Sequence, residues 1–282
     1  MKSVGMIGLG LLGSAMRDRL LAGGWSVTGF DVDSSRPGVD TASAADLAGR
    51  CGVVVLSLPD SRIAAGVIAE IGPAMMTTAG GLVIDTTTGD PADSERAAAA
   101  LVVRGVEFVD ATVGGSSAQA RAGEALIMAG GSEAAFARAR PLLEALAGSV
   151  FHVGAAGAGA RMKLVFNLVL GLNRAVLAEG LAFARAYGLE AGAALEVLRR
   201  GAAYSAVMDT KGPMMIEGGF DPPRARLAQH LKDVRLILEE GGRLGARLPL
   251  SAVHAELLGG LVSAGWGGAD NAAVIRAFDP EK

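Results

Sequence analysis

Apolar and polar positions follow two different rhythms along this chain. Up to about residue 153, short apolar runs are bounded by glycine, proline or acidic residues. Val4-Gly5-Met6-Ile7, the stretch 25–30, 53–58, Leu82-Val83-Ile84-Asp85, Val106-Glu107-Phe108-Val109-Asp110, 126–129 and 150–153 each have the length and composition of a strand. The run 53–58 is apolar enough to be buried on both faces, as in a parallel sheet. Between these runs, 14–22, 42–50, 63–71, 93–103 and 133–146 carry the wider apolar spacing of helices. Beyond residue 158 only the helical rhythm remains, over 158–188, 191–200, 224–244, 249–264 and 270–277. The first of these exceeds the ordinary globular length of ~8–20 residues, so it must cross between domains or pack against a second subunit. The pattern predicts an α/β, Rossmann-like domain over 1–158 and an all-α domain over 159–282, joined by a long helix.

Composition narrows the partners. Hydrophobic residues make up 51% of 282 positions and 41 are glycine, so a large core and close helix packing are available. Aromatics are only 4%, net charge is −3 and no basic run occurs, which argues against nucleic acid and anionic membranes as partners. A single cysteine, Cys51, excludes an internal disulfide, and no metal site is expected. No run reaches the ~20 uninterrupted apolar residues of a membrane span. The first residues enter a strand without a signal-cleavage pattern, so a cytoplasmic location is expected.

The chemistry begins at Gly8-Leu9-Gly10-Leu11-Leu12-Gly13, which follows a strand and opens a helix. In that position G-x-G-x-x-G reads as a dinucleotide loop: Gly8 for the turn, Gly10 for pyrophosphate approach, Gly13 for helix–strand packing. Asp31 ends the next strand, 18 residues past Gly13, where an acid binds the adenosine ribose hydroxyls. A carboxylate there repels a 2′-phosphate, so NAD is expected over NADP, although Arg36 could neutralise such a phosphate. Thr86-Thr87-Thr88 stand after a strand and either contact a cofactor or cap the next helix. The loop Gly114-Gly115-Ser116-Ser117 offers backbone N–H groups to an anion, or is a turn between strands. His152 lies in strand alternation and reads as structural. Lys163 and Asn167 share one face of the long helix, either at a ligand site or on a linker whose lysine reaches water.

Four stretches then occur in order: the glycine loop; Asp110-Ala111-Thr112-Val113-Gly114-Gly115 with Ala122-Gly123-Glu124-Ala125-Leu126; Gly154 to Asn167; and His230-Leu231-Lys232-Asp233. Together they resemble the β-hydroxyacid dehydrogenases, the family of 3-hydroxyisobutyrate dehydrogenase and tartronate semialdehyde reductase, over nearly the whole chain. The resemblance implies a Rossmann-like domain, a long connecting helix and a helical domain used in forming a homodimer or homotetramer. It puts the catalytic lysine on Lys163, the substrate-orienting asparagine on Asn167 and a second lysine, near cofactor and substrate, on Lys232. It puts cofactor contacts on Leu58, Pro59 and Thr88. The implied activity interconverts a short β-hydroxyacid and its aldehyde-acid by hydride transfer to or from NAD(P). The substrate is then a small carboxylate, held by Gly114, Gly115 and Ser116.

The chain departs from the family pattern Asp-Ala-Pro-Val-Ser-Gly-Gly in three places: Thr112 replaces the proline, Gly114 the serine and Ser116 the last glycine. Leu12 also stands where methionine is usual. A desolvated lysine can both take and return a proton near neutral pH, which suits both directions of the reaction. Imine reductases share this architecture, and a non-catalytic NAD(H)-binding protein would also carry the glycine loop. The presence of Lys163, Asn167 and Lys232 together favours the hydroxyacid enzyme.

Overall fold

The computed structural model describes residues 2–75 and 80–278. The chain divides into two compact units, Met1–Lys163 and Leu164–Lys282. In the first, β1 (Ser3–Ile7), α1 (Leu11–Ala22), β2 (Ser26–Phe30), α2 (Ala44–Arg50), β3 (Val53–Leu56), α3 (Ser61–Met75), β4 (Leu82–Asp85), α4 (Pro91–Val102) and β5 (Glu107–Gly114) alternate. Then come α5 (Ser117–Ala122), β6 (Leu126–Gly131), α6 (Glu133–Leu146) and β7 (Ser149–Gly154). The strands form one seven-stranded sheet in the order β2-β1-β3-β4-β5-β6-β7. Every pairing is parallel except β5 with β6. Strand order reverses at β1, between β2 and β3, and such a reversal opens a crevice at the carboxyl ends of the strands.

Period-2 alternation fills both faces of this sheet. Met6, Val55 and Ile84 join Leu20 of α1 and Leu143 of α6 in one core, while Ile7, Val54 and Val83 join Leu47, Ile71 and Leu101 of α2–α4 in another. Each such side chain contributes about 1.5–3 kcal/mol of burial, which holds the strand ends and their loops in fixed positions.

The second unit is helical. The 29-residue α7 (Ala158–Ala186) leads into it from the first. It continues with α8 (Ala191–Arg200), α9 (Val207–Glu217), α10 (Leu227–Arg243), α11 (Pro249–Ser263) and two short 3-10 segments, Trp266–Gly268 and Asn271–Phe278. Its core gathers Leu177 and Leu181 with Leu195, Met215, Leu231, Leu258 and Val274. By length and composition alone α7 could cross a bilayer, although Lys163, Asn167, Asn173 and Arg174 interrupt it and 44% of its most apolar window is buried inside the protein.

The structure adds two helices that the periodicity does not announce. α5 grows directly from the Ser116-Ser117 end of the glycine loop, and α9 carries Gly212 and Pro213 in its interior, which blur its pattern. The final helix expected over 270–277 is 3-10 in form. The three threonines do not cap α4: Asp90 accepts from Ala92 N–H and caps it, with Pro91 in the first turn. Thr86 instead donates to Leu56 O, and the Thr87 hydroxyl accepts from Leu58 N–H.

Candidate functional site

The glycine loop has the geometry that its spacing promised. Gly8 adopts φ +92°, and a Cβ there would lie 2.3 Å from Ser57 O. A Cβ on Gly13 would lie 1.9 Å from Gly8 O, so only glycine lets α1 sit this close to β1. Gly10 is different: a Cβ there would meet no atom within 4 Å. Gly10 is the N-cap of α1 and makes no side-chain cap bond. An open backbone face at a helix N-terminus, beside the switch point, fits the pyrophosphate of a dinucleotide.

Asp31 continues from the end of β2 toward this loop, and its Oδ2 accepts from Leu9 N–H at 2.7 Å. Arg36 lies over the same loop, 3.4 Å from Asp31 and donating to Leu9 O at 3.1 Å. The two residues that bear on cofactor choice are therefore in one ion pair. Leu58 lies just past β3, its N–H tied to Thr87, while Pro59 and Thr88 follow the ends of β3 and β4. All three stand on the carboxyl edge of the sheet.

The start of α7 is fixed by a buried carboxylate. Asp110 on β5 accepts from Gly157 N–H at 2.8 Å and from Ala160 N–H at 2.7 Å. Thr112, two residues on, donates to Gly159 O at 3.0 Å. A Cβ on Gly159 would stand 2.6 Å from both Asp110 O and Met128 O, which explains the small residues at this crossing. Asp85 is the register partner of Asp110 in the neighbouring strand. Burial pushes Asp85 up to about 6. Burial, with a smaller contribution from Asp85, pushes Asp110 up to about 7 against the pull of the helix N–H bonds.

One turn later Lys163 turns back to the same strand. Its Nζ donates to Val113 O at 2.6 Å, and the side chain is buried. Val113 immediately precedes Gly114 and Gly115, so the structure brings the lysine to the 114–117 loop. Gly115 has φ +136° and an exposed backbone. Ser116 caps α5: its N–H donates to Gln119 Oε1 at 2.9 Å and its hydroxyl accepts from Gln119 N–H at 3.2 Å. A capping box has taken these donors.

Within the helical unit, Asn167 donates through Nδ2 to Asp233 Oδ2 at 3.2 Å. Only the amide nitrogen can donate to a carboxylate, so this bond fixes the amide orientation. Lys232 Nζ lies 3.4 Å from the other oxygen of Asp233. The structure thus joins Asn167 to Lys232 through Asp233, a residue to which sequence reasoning gave no role. Asp110 was missed in the same way. For Asp110 the available signal was an acid inside a largely apolar strand; Asp233 lies in a helix rich in charged residues and carried no such signal. His152 is structural as expected, stacked on Phe136 with Nε2 2.9 Å from Gly131 O. No His/Cys/Asp/Glu group suited to a metal occurs among the described residues.

Comparison with known proteins supplies what geometry does not. Residues 3–154 match the family described as the NAD binding domain of 6-phosphogluconate dehydrogenase. Residues 157–278 match the one described as NAD-binding of NADP-dependent 3-hydroxyisobutyrate dehydrogenase. A 2-(hydroxymethyl)glutarate dehydrogenase of Eubacterium barkeri is 32% identical, covering 98% of this chain and 94% of its own. A Mycobacterium tuberculosis 3-hydroxyisobutyrate dehydrogenase solved with L-serine superposes with TM-score 0.89 at 28% identity, covering 99% of each chain. An imine reductase from Pseudomonas sp., 20% identical over 98% of this chain and 99% of its own, has TM-score 0.66 and shares the fold alone.

Proposed function

The chain belongs to the 3-hydroxyisobutyrate dehydrogenase (β-hydroxyacid dehydrogenase) family, and from that premise we propose that it oxidises the primary alcohol of a short β-hydroxyacid, reversibly, to the aldehyde-acid. It is an NAD(P)-dependent dehydrogenase acting on CH–OH groups. Three of its relatives support one substrate class, while others are named for L-threonate or for glyoxylate and succinic semialdehyde. 2-(Hydroxymethyl)glutarate, 3-hydroxyisobutyrate and L-serine all carry a carboxylate and a CH₂OH on the same carbon. They differ in the third substituent, so a 3-hydroxyisobutyrate- or glycerate-like acid is the reading for this enzyme.

The observation that carries the proposal is the bond from Lys163 to the end of β5, beside Gly114 and Gly115. It puts an ammonium next to backbone donors suited to a carboxylate. Lys163 is the general acid/base: it takes the hydroxyl proton during oxidation and returns one to the forming alkoxide during reduction. The Gly115 N–H and the Ser117 hydroxyl hold the carboxylate, with Ser116 fixing the loop through its cap. Asn167, its nitrogen held by Asp233, presents its carbonyl oxygen to the substrate hydroxyl. Lys232, paired with Asp233, takes the role of the second lysine that adds positive charge near cofactor and substrate. Bound dinucleotide supplies the hydride acceptor or donor. Gly8 to Gly13, Asp31, Leu58, Pro59 and Thr88 hold it. The Asp31 carboxylate beside Leu9 N–H supports NAD, because a 2′-phosphate would meet that charge.

We place the contact of a homodimer or homotetramer on α7, where Val165, Val169, Val176 and Phe183 are exposed at helical spacing. Initial rates over a panel of short 2- and 3-hydroxyacids, with NAD and NADP separately, test the function. Turnover of a 3-hydroxyacid with a CH₂OH group supports it. Turnover of cyclic imines alone points to the imine reductase reading, and cofactor binding without turnover to a non-catalytic role.

A further inference from the structure

We propose that Arg174, His230 and His254 form a buried site for a small monovalent anion, of halide or carboxylate chemistry, inside the helical unit. Arg174 lies on α7 and is 4% exposed. Its Nε and Nη1 are both buried and have no hydrogen-bond partner among the described residues. No ion pair involves it there either. His230 on α10 and His254 on α11 lie with ring centroids 5.1 Å apart, each with a buried, unpartnered Nε2. Both rings point at Gly171, one turn before Arg174 on α7. A Cβ on Gly171 would lie 2.8 Å from His230 Nε2 and 3.1 Å from His254 Cε1. The absence of a side chain there lets two imidazoles approach the face that Arg174 shares.

The charge balance gives the sign of the ligand. The carboxylate that acts on Arg174 is Asp270, and its bonds are committed elsewhere. Oδ1 accepts from Lys211 Nζ at 2.6 Å and Ala272 N–H at 2.9 Å; Oδ2 accepts from Arg224 N–H at 2.8 Å and Ala225 N–H at 3.2 Å. Lys211 and Asp270 neutralise each other, which leaves the guanidinium as a buried excess positive charge. Burial lowers Arg174 to about 10, so it stays charged at neutral pH. Burial, then the charge of Arg174, lowers His254 to about 4 and holds His230 well below the ordinary histidine value. Both imidazoles are therefore neutral, and each can turn an N–H toward the site. A guanidinium with two neutral N–H donors and one uncompensated positive charge matches a single negative charge. A buried ion without a partner is strongly unfavourable, and a bound monoanion removes that imbalance. This site is separate from the proposed reaction and stands whether or not that reaction is correct.

The test uses the full-length protein, melted at constant ionic strength in sodium bromide, chloride or formate against sodium methanesulfonate. The expected result is a saturable rise in melting temperature of a few degrees in the three small anions, following ligand linkage. Arg174→Met, which keeps a long side chain without the charge, should fold and lose that rise. Equal melting in all four salts, or the same rise in Arg174→Met, overturns the proposal. A bromide-soaked wild-type crystal supplies a measurement that does not depend on the variant. An anomalous peak beside the Arg174 guanidinium supports the site, and none there at saturating bromide overturns it.

Discussion

Removing the Asp110 carboxylate should loosen the start of α7 and, through it, Lys163. In Asp110→Ala the N–H groups of Gly157 and Ala160 lose their acceptor inside the protein. Each buried, unsatisfied N–H costs about 1–3 kcal/mol, and loss of an anion at a helix N-terminus costs up to about 1 kcal/mol more. Relief of the buried charge works in the other direction, so the net loss is about 3 kcal/mol. At about 2–4 °C per kcal/mol for a chain of this size, the melting temperature should fall by roughly 6–12 °C. Hydrogen exchange should locate the change, with amides around 157–163 losing protection before those of β1 and β3. Because Lys163 lies three residues past Ala160, kcat should fall more than KM rises. A variant melting within about 1 °C of wild type, with unchanged exchange at α7, would refute the claim that Asp110 anchors this helix.

Other consequences follow from the same contacts. Asp110 in the folded chain keeps its proton up to about 7, above the ~3.9 of an unfolded aspartate. Between those values the folded state binds more protons, so stability should fall as pH rises through that window and level off above it. Measured against Asp110→Asn, this decline should be the difference between two urea titrations run from pH 4 to 8. Asp31→Ser leaves Arg36 beside the glycine loop, so the kcat/KM ratio of NADP to NAD should rise about tenfold or more; an unchanged ratio removes Asp31 from cofactor selection. Asp233→Ala frees the Asn167 amide and should lower kcat about tenfold or more while leaving cofactor affinity intact, as read by NADH fluorescence.

Local patterning carried much of the architecture. The runs around Val4-Ile7, 53–56 and 82–85 are strands because residues buried on both sheet faces must be apolar in succession, and that is visible in one dimension. The glycine loop was equally legible from its spacing between a strand and a helix, although only Gly13 answers to a nearby backbone clash, with Gly8 O; Gly8 answers to Ser57 O on the neighbouring strand's end. α5 was hidden because its signal is the capping box of Ser116 and Gln119, set within a stretch that also reads as loop. α9 was hidden because Gly212 and Pro213 interrupt its pattern. At the site, Lys163 and Asn167 stood out as polar residues on an apolar helix. Their supports did not, because Asp110 meets α7 some fifty positions away and Asp233 meets Asn167 across a similar gap. Distances of that kind belong to the tertiary fold, which no local rhythm encodes.

We propose that Lys163 moves the proton. This is tested most directly by single-turnover rates of Lys163→Met on a substrate accepted by the wild type, with cofactor affinity measured alongside. The chemical step should slow by about 10²–10⁴-fold, with NAD(H) binding unchanged. A variant that turns over near the wild-type rate, with its cofactor bound normally, contradicts the proposal.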